Sequence, residues 1–303
     1  MRSWDLNRLR IWRAVVTAGS VVEAAANLGY RPATISQHIA TLQQSTGLEL
    51  YRRAGRGIEI TEAGRKLAEE AAKVLDQVRR LDGTVDDMTS SPDPRIVFSG
   101  FTSFHETLLP PVVDSVVRTF PTIRFEILDD ERDSAPSPRL PDIEIRSEAG
   151  FAAATEVPGT IRTPLFDDEF HLVVPTSHRL ADAGEVPLAE IAEERWIDAE
   201  SRATAGMSAI LHACAAAGIA PRVIARSEGH YAALALVAAG HGITLLPALA
   251  LLSLPAGLTS VALTHPVPSR RVCMHVVEQS AHLPHISFTA DEIIAQAEGF
   301  GLV

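Results

Sequence analysis

The sequence predicts a two-part architecture, in which a small helical module and one long helix precede a larger α/β region. Three observations support this. The first 46 residues contain three short helical patterns separated by glycines. From Thr61 onward, apolar residues recur at heptad spacing for about 30 residues. After Pro94, short β-branched runs alternate with helical patterns, which is typical of an α/β region.

The distribution of charge also separates the two parts. The chain has 303 residues and a formal net charge of −11, with 21% charged and 46% hydrophobic residues. That length and composition are ordinary for about two globular domains. Residues 1–66 hold ten Lys or Arg against five Asp or Glu, whereas residues 67–303 hold seventeen against thirty-three. A basic end on an acidic body is expected when only that end meets phosphate.

The helical module has the pattern of a helix-turn-helix within residues 1–60. Ser20 is a suitable N-cap for a helix over Val21–Leu28, and Gly29 is a suitable C-terminal residue. Pro32 fits the first position of the next helix, which we expect to end before Gly47. Two short helices joined by a glycine turn, with polar residues at the start of the second, predict a DNA-reading unit.

A basic hairpin follows the helices over Leu48–Ile60, with an arginine- and glycine-rich tip that predicts a wing on the DNA backbone. In the helix before this hairpin, the Gln37 side chain can pair with adenine, and the arginines can reach phosphate or the minor groove. Ser36 and His38 alternatively serve only to bond the backbone or water. The candidate DNA-binding residues are Arg31, Pro32, Thr34, Ser36, Gln37, His38, Arg52, Arg53 and Arg56.

The long helix, assigned to residues 61–90, carries a narrow apolar stripe. Thr61 is its expected N-cap. The stripe favours pairing with a second copy, and the alternative is packing against the chain's own body. The candidate dimerisation residues are Leu67, Ala71, Val74, Val78, Leu81, Val85 and Met88.

The remaining chain, residues 91–303, begins after a hinge-like Ser90–Pro94 segment and predicts a mainly parallel sheet with flanking helices. The predicted strands are Ile96–Ser99, Arg124–Leu128, Ile143–Arg146, Glu169–Val174, Val223–Arg226, Ile243–Leu246 and Val272–Val277. The predicted helices are Thr102–Thr119, Leu188–Glu193, Ala205–Ala217, Tyr231–Ala239 and Ala290–Glu298.

Other classes of protein receive little support. The uncharged stretch Ala232–Leu258 is interrupted by glycines and prolines, so we do not expect a membrane helix. No signal peptide is evident, and Cys214 and Cys273 fit a reducing cytoplasm as structural thiols. Without a G-x-S-x-G elbow, a phosphate loop or H-E-x-x-H, we expect no enzyme activity, metal or cofactor.

Several motifs, in this order and at this spacing, resemble the LysR-type transcriptional regulators. In the N-terminal part they are Ala24-Ala25-Ala26-Asn27-Leu28-Gly29-Tyr30, Ile35-Ser36-Gln37-His38-Ile39, Leu50-Tyr51-Arg52-Arg53 and Thr61-Glu62-Ala63-Gly64. In the C-terminal part they are Leu108-Leu109-Pro110-Pro111, Phe120-Pro121, His178-Arg179-Leu180-Ala181 and Leu236-Val237-Ala238-Ala239-Gly240-His241-Gly242-Ile243. The resemblance covers nearly the whole chain.

The resemblance implies a homodimer or homotetramer on double-stranded operator DNA, with RNA polymerase as a further partner if the protein is an activator. It also implies a two-lobed effector-binding domain similar to periplasmic binding proteins. Lobe I would comprise residues 95–165 and 267–303, and lobe II residues 166–266. The sequence departs from the family pattern in two places. Arg31 stands where the family has a small polar cap, and three prolines in residues 134–141 replace a helix.

An effector would lie between the lobes, beside the carboxyl ends of the strands. Backbone N–H groups at the first strand-to-helix turn and the Arg146 side chain suit a small polar effector, with an anion among the candidates. Ordinary helix caps and surface loops are the alternative. The candidate effector-binding residues are Ser99, Phe101, Thr102, Ser103, Arg146, Asp198, Ser201, Arg202, Thr204, Glu228 and Gly229.

Two other functions compete with transcription regulation. A solute-binding protein would account for the α/β region but not for the basic first 60 residues. An α/β enzyme would need a nucleophile or a cofactor motif, and the sequence offers neither.

Overall fold

The computed structural model describes residues 3–54, 57–89, 94–129, 140–200, 204–227, 229–252 and 254–300. For residues 53, 54, 79, 80, 83, 84 and 86–89 it describes the backbone alone. The chain forms two compact units, the first ending with the long helix and the second beginning just before the next strand. The hinge-like segment and the proline-containing segment fall largely outside the described residues.

The N-terminal unit is a three-helix module followed by a hairpin and one long helix. Its elements are α1 (Leu6–Ala18), α2 (Val21–Leu28), α3 (Pro32–Thr46), β1 (Tyr51–Ala54), β2 (Gly57–Ile60) and α4 (Glu62–Thr89). The expected caps are present: the Ser20 hydroxyl accepts from the Glu23 amide, and the Thr61 hydroxyl accepts from the Gly64 amide. Gly29 ends α2 with a φ of 68°, which favours glycine.

Trp12 anchors the core of this unit. Its side chain is fully buried in α1, and its indole Nε1 donates to the Gly64 carbonyl at 3.0 Å. Gly64 lies in the first turn of α4, so this bond joins the first helix to the last. A side chain at Gly64 would meet the Leu50 carbonyl oxygen and the Trp12 ring. Only glycine therefore allows α4 to start this close to the module.

The second unit contains a mixed sheet in the order β4-β3-β5-β12-β6-β11-β7, with β10 also paired to β6. A separate parallel pair is formed by β8 and β9. The strands of the unit are β3 (Arg95–Gly100), β4 (Arg124–Asp129), β5 (Ile143–Ala149), β6 (Thr160–Pro175), β7 (Glu185–Pro187), β8 (Arg195–Asp198), β9 (Arg222–Arg226), β10 (Thr244–Pro247), β11 (Leu258–Thr264) and β12 (Ser269–Val277). Its helices are α5 (Thr102–Thr107), α6 (Leu109–Thr119), α7 (Ala205–Ala216), α8 (His230–Ala238), α9 (Ala248–Leu251) and α10 (Pro284–Phe300).

Separate cores define two lobes in this unit. In lobe I, helices α5, α6 and α10 cover one face of the sheet, around Phe98, Phe104 and Ile293. Lobe II has two clusters, one around Trp196 and one around Val237. The strand β6 runs through both lobes. It pairs with β12 up to Glu169 and with β10 from Phe170 onward, so the lobes meet within one continuous strand.

Several details differ from the sequence prediction. The sheet is mixed rather than mainly parallel, because β12, β10 and β11 all run antiparallel to β6. The helix expected over Thr102–Thr119 is two helices, because Pro110 and Pro111 require a new helix start. The expected helix Leu188–Glu193 is a short 3-10 turn over Leu188–Ile191. The expectations overlooked β7, β8, β11 and the first half of β6.

Among the described residues, no helix is both long enough and apolar enough to cross a membrane. The uncharged stretch Ala232–Leu258 instead divides into α8, β10 and α9 with short connections, as its glycines and prolines predict. The core of lobe II takes up much of this apolar sequence, because Leu234, Val237 and Leu246 are buried there.

Candidate DNA interface and effector site

The helix α3 presents polar residues in its first two turns and buries an apolar face. Ile35, Ile39 and Leu42 are buried in the core of the N-terminal unit. Arg31, Pro32 and Gln37 are exposed, whereas Thr34, Ser36 and His38 are half-buried. As predicted, Arg31 occupies the N-cap position and makes no side-chain capping bond. The anchored face fixes α3, and exposed Gln37 in its second turn is available to a base edge.

An aromatic residue that the sequence reasoning overlooked contacts this helix. The Tyr30 ring packs edge-on against the His38 imidazole, with ring centroids 6.3 Å apart. Tyr30 precedes the helix, and this contact limits the directions in which the His38 ring can point. An aromatic residue immediately before the Arg31-Pro32 pair was the available signal.

The hairpin β1–β2 forms as predicted, with Tyr51 opposite Ile60 and Arg53 opposite Ile58. Arg52 is 69% exposed and pairs with Glu49, with 3.0 Å between Nε and Oε2. This pair lies at the surface and is weak, so phosphate can compete with Glu49 for the guanidinium. The side chain of Arg53 and all of Arg56 lie outside the described residues.

The apolar stripe of α4 divides into two parts. Ala71 is 2% exposed and belongs to the core of its own unit, so its assignment to the dimerisation seam is wrong. Leu67 is partly buried against the same core. Farther along, Val74, Leu81 and Val85 are 44%, 62% and 50% exposed. Val78 is half-buried, and the Met88 side chain lies outside the described residues. The second half of the stripe is therefore the part that remains available to a partner helix.

A buried polar network lies where the two lobes of the second unit meet. The Arg270 guanidinium donates to Asp168 Oδ2 through Nε at 3.1 Å and Nη2 at 3.0 Å, and to the Ser103 hydroxyl at 2.9 Å. Its Cζ lies 4.3 Å from the centroid of the Phe101 ring. Asp168 Oδ1 also accepts from the Leu249 amide. Burial raises the pKa of Asp168, and the Arg270 charge opposes that rise.

The effector candidates Ser103 and Arg146 lie on opposite faces of the sheet. Ser103 faces Arg270 on the side of the sheet that carries the lobe I core. On β5, Ile143 and Ile145 belong to that core, so strand alternation places Arg146 on the opposite face. There Arg146 pairs with Glu144 at 2.8 Å. By the same alternation, the buried Ser99 lies on that opposite face. Sequence position alone did not reveal the face.

The lobe II candidates gather around a buried carboxylate that the sequence reasoning missed. Glu200 is 6% exposed, and its Oε2 accepts from the Thr204 hydroxyl at 2.7 Å. Thr204 caps α7 by accepting from the Met207 amide. Asp198 Oδ1 accepts from the Glu200 amide, and Asp198 Oδ2 pairs with Arg226. Among the described residues, Asp198, Glu200 and Thr204 therefore all have hydrogen-bond partners within the protein.

The other predicted effector residues have mainly structural positions. Phe101 is buried in the lobe I core, and Thr102 is a half-buried residue at the start of the six-residue α5. Gly229 precedes α8 with a φ of 108°, a conformation that favours glycine. Ser201, Arg202 and Glu228 lie outside the described residues.

Both cysteines are buried, and burial raises the pKa of each thiol to about 11. The thiolate is the reactive form of cysteine, and at neutral pH it is a trace species with such a pKa. This fits the expectation that Cys214 and Cys273 are structural. The described residues contain no group of three His, Cys, Asp or Glu side chains placed to hold a metal ion.

Two family models match the chain and together cover most of it. Residues 6–65 match the model described as bacterial regulatory helix-turn-helix protein, lysR family. Residues 89–297 match the model described as LysR substrate binding domain. The chain belongs to the LysR family. This confirms the family that the sequence motifs predict, that of the LysR-type transcriptional regulators.

Curated LysR-type relatives are about 26–29% identical to this chain. They include the transcriptional activator TtdR of Escherichia coli K12, 29% identical over 49% of each chain. The regulator ShiR of Corynebacterium glutamicum is 29% identical over 73% of this chain and 75% of its own. A probable hydrogen peroxide-inducible genes activator of Streptomyces viridosporus is 26% identical over 90% and 88%. The chain spans about half the length of TtdR.

Solved structures of LysR-type regulators have the same fold. Full-length BenM matches with a TM-score of 0.56, 23% identity and coverage of 98% of each chain. CbnR matches with a TM-score of 0.54 and 19% identity, over 96% of this chain and 100% of its own. HinK from Pseudomonas aeruginosa gives 0.56 and 19%, over 97% and 99%. These similarities confirm the predicted fold class of a winged helix-turn-helix with a two-lobed effector domain.

Proposed function

We propose that this protein binds a specific double-stranded operator through α3 and the β1–β2 wing, and that a small molecule held between the two lobes modulates that binding. The carrying observation is the N-terminal half of α3, where exposed Gln37 stands on a helix anchored by buried Ile35 and Ile39. A rigidly held helix with an exposed polar N-terminal turn has the geometry required to read the major groove.

Pairing through α4 completes the proposal. Two copies joined along the exposed half of the stripe would present two α3 helices, so the operator should contain two half-sites. We propose a homodimer, with a homotetramer as its further assembly, acting in the cytoplasm. RNA polymerase is a further partner if the protein activates transcription.

The experiment is a selection of duplexes from a random DNA library by the full-length protein, followed by anisotropy titrations with the selected and scrambled duplexes. The proposal predicts a selected sequence with two similar half-sites, and an affinity for it at least about a thousandfold above that for scrambled DNA. Equal affinity for both duplexes contradicts operator recognition. Selection of a lone half-site contradicts the pairing.

Modulation by an effector is tested with the same titration. Compounds that raise the Tm of the full-length protein are added to the selected duplex, because a ligand of the native state stabilises it by mass action. The proposal predicts that such a compound changes operator affinity or half-site contacts. A compound that stabilises the protein and alters neither would separate the binding site from regulation and contradict the modulation.

A further inference from the structure

The exposed face of α3 alternates alanine with glutamine. Its central line consists of Ala33, Gln37, Ala40 and Gln44, which are all exposed. Their spacings of four, three and four residues place them one above another on a single side of the helix. The opposite side of α3 is buried in the core of the N-terminal unit. The surface that α3 offers to a ligand is therefore centred on methyl groups and side-chain amides.

Polar side chains on either side of this line are engaged within the N-terminal unit. The half-buried Gln43 lies on one side, and its Oε1 accepts from the Leu50 amide at 2.8 Å. The half-buried Thr41 lies on the other side, and its hydroxyl donates to the Gln37 carbonyl at 2.9 Å. These bonds direct the two flanking side chains toward the protein. A base pair under the centre of α3 would therefore meet the alanines and the glutamine between them.

The positions along this line match the spacing of stacked base pairs. Because a helix rises about 1.5 Å per residue, Ala33 and Ala40 are separated by about 10 Å along the axis, with Gln37 between them. Base pairs follow one another at about 3.4 Å, so a helix lying along the major groove covers about three steps between the two alanines. Gln pairs bidentately with adenine, and an alanine methyl contacts the methyl of thymine.

We propose that Ala33 and Ala40 determine specificity by contacting thymine methyl groups on either side of the adenine that Gln37 reads. The inference rests on the proposed function, because it names the base pairs that α3 recognises in the operator. An alanine methyl offers no hydrogen bond, so a G·C pair there would lose water from its polar edge without compensation. A thymine methyl instead gains an apolar contact. Each half-site should therefore carry A·T pairs within two steps of the central adenine, on both sides.

Replacing thymine by uracil tests this directly, because it removes the methyl group and keeps every hydrogen-bonding atom of the base. The central adenine is located first, as the position of the selected duplex whose preference is lost in Gln37→Ala. Uracil is then placed at the flanking thymines, and the full-length wild type is titrated by anisotropy. The proposal predicts about fourfold weaker binding for each methyl removed, which corresponds to about 0.8 kcal/mol for a buried group of this size.

Uracil outside the half-sites is the control for the DNA, and it should leave the affinity unchanged. Equal affinities of the wild type for the thymine and uracil duplexes overturn the proposal. Selection of guanine or cytosine at the flanking positions also overturns it. Because both comparisons use the wild-type protein, they decide the matter even if a variant fails to fold.

Glycine variants assign each methyl contact to its residue. The proposal predicts that Ala33→Gly and Ala40→Gly each become insensitive to uracil at one flanking position and stay sensitive at the other. Ala63→Gly is the matched control, because Ala63 is an exposed alanine in the first turn of α4 and gains the same backbone freedom. The measured quantity is the ratio of two affinities for one variant, so a general loss of affinity cancels. Unchanged uracil sensitivity in both α3 variants, or its loss in Ala63→Gly, overturns the assignment.

The same titrations separate this inference from the function on which it rests. If the wild type prefers its selected duplex to scrambled DNA but is insensitive to uracil, the thymine contacts are wrong and operator recognition stands. If the wild type binds the selected and scrambled duplexes equally, the proposed function fails instead.

Discussion

The exposed half of the α4 stripe makes a quantitative prediction about pairing. Complete burial of a leucine side chain stabilises by about 1.5–3 kcal/mol. Leu81 is 62% exposed, so burying the remainder in a dimer contributes about 1–2 kcal/mol per protomer by the same scale. Because the residue occurs twice in a symmetric dimer, Leu81→Asp should weaken dimerisation by at least about 2–4 kcal/mol, or about 30- to 1,000-fold in Kd.

The assay is a dilution series of the full-length protein in sedimentation equilibrium, with anisotropy on a duplex that carries two half-sites. Leu252→Asp is the matched control, because Leu252 is 66% exposed and lies in lobe II, outside the stripe. We expect Leu81→Asp to dissociate at concentrations where the wild type and the control remain dimers. Dissociation constants that agree among all three proteins would refute the assignment of α4 as the pairing helix.

Three further predictions concern stability. Gly64→Ala should lower the free energy of unfolding of the N-terminal unit by about 1–3 kcal/mol, because its Cβ would meet Trp12 and the Leu50 carbonyl. The control Gly299→Ala should not destabilise the protein, because the space around its Cβ is open. Equal midpoints of chemical denaturation for the two variants would contradict this prediction. Arg270→Met should lower the free energy of unfolding by about 3–5 kcal/mol, because Asp168 stays buried without its cation. The double variant Arg270→Met with Asp168→Leu should recover stability, because neither charge is then buried. A wild-type Tm for the single variant would contradict this prediction. Burial lowers the pKa of His105, His275 and His285 below the ordinary 6.5. Because the unfolded chain then binds more protons than the folded chain, the free energy of unfolding should fall as the pH drops below about 6.5. A Tm that is unchanged between pH 7 and pH 5.5 would contradict this prediction.

The N-terminal unit was predictable because its signals are local. Ser20, Gly29 and Pro32 each act within one helical turn, so capping rules located α2 and α3 without knowledge of the tertiary structure. The burial of Ala71 was not predictable in this way. A heptad position and a core position look alike in sequence, and only the packing of α4 on α1 distinguishes them.

The effector site was less predictable because it depends on long-range placement. Ser103 and Arg146 both lie near strand ends, but alternation along β5 turns Arg146 away from Ser103. Glu200 and His230 are 30 residues apart in sequence, and only the folded structure places His230 Nε2 3.8 Å from Glu200 Oε1. The sequence reasoning overlooked Glu200, although it lies next to the predicted polar loop. A carboxylate just before a helix reads as an ordinary surface residue until its burial is known.

The most direct test of the central claim is the salt dependence of DNA binding by full-length variants of the reading helix. We predict that Gln37→Ala reduces discrimination between selected and scrambled duplexes by about 1–3 kcal/mol and leaves the salt dependence unchanged. Arg31→Ala should weaken binding to both duplexes and reduce the slope of log K against log salt by about 1. If Gln37→Ala discriminates as the wild type does, or if binding is independent of salt, α3 does not read the operator.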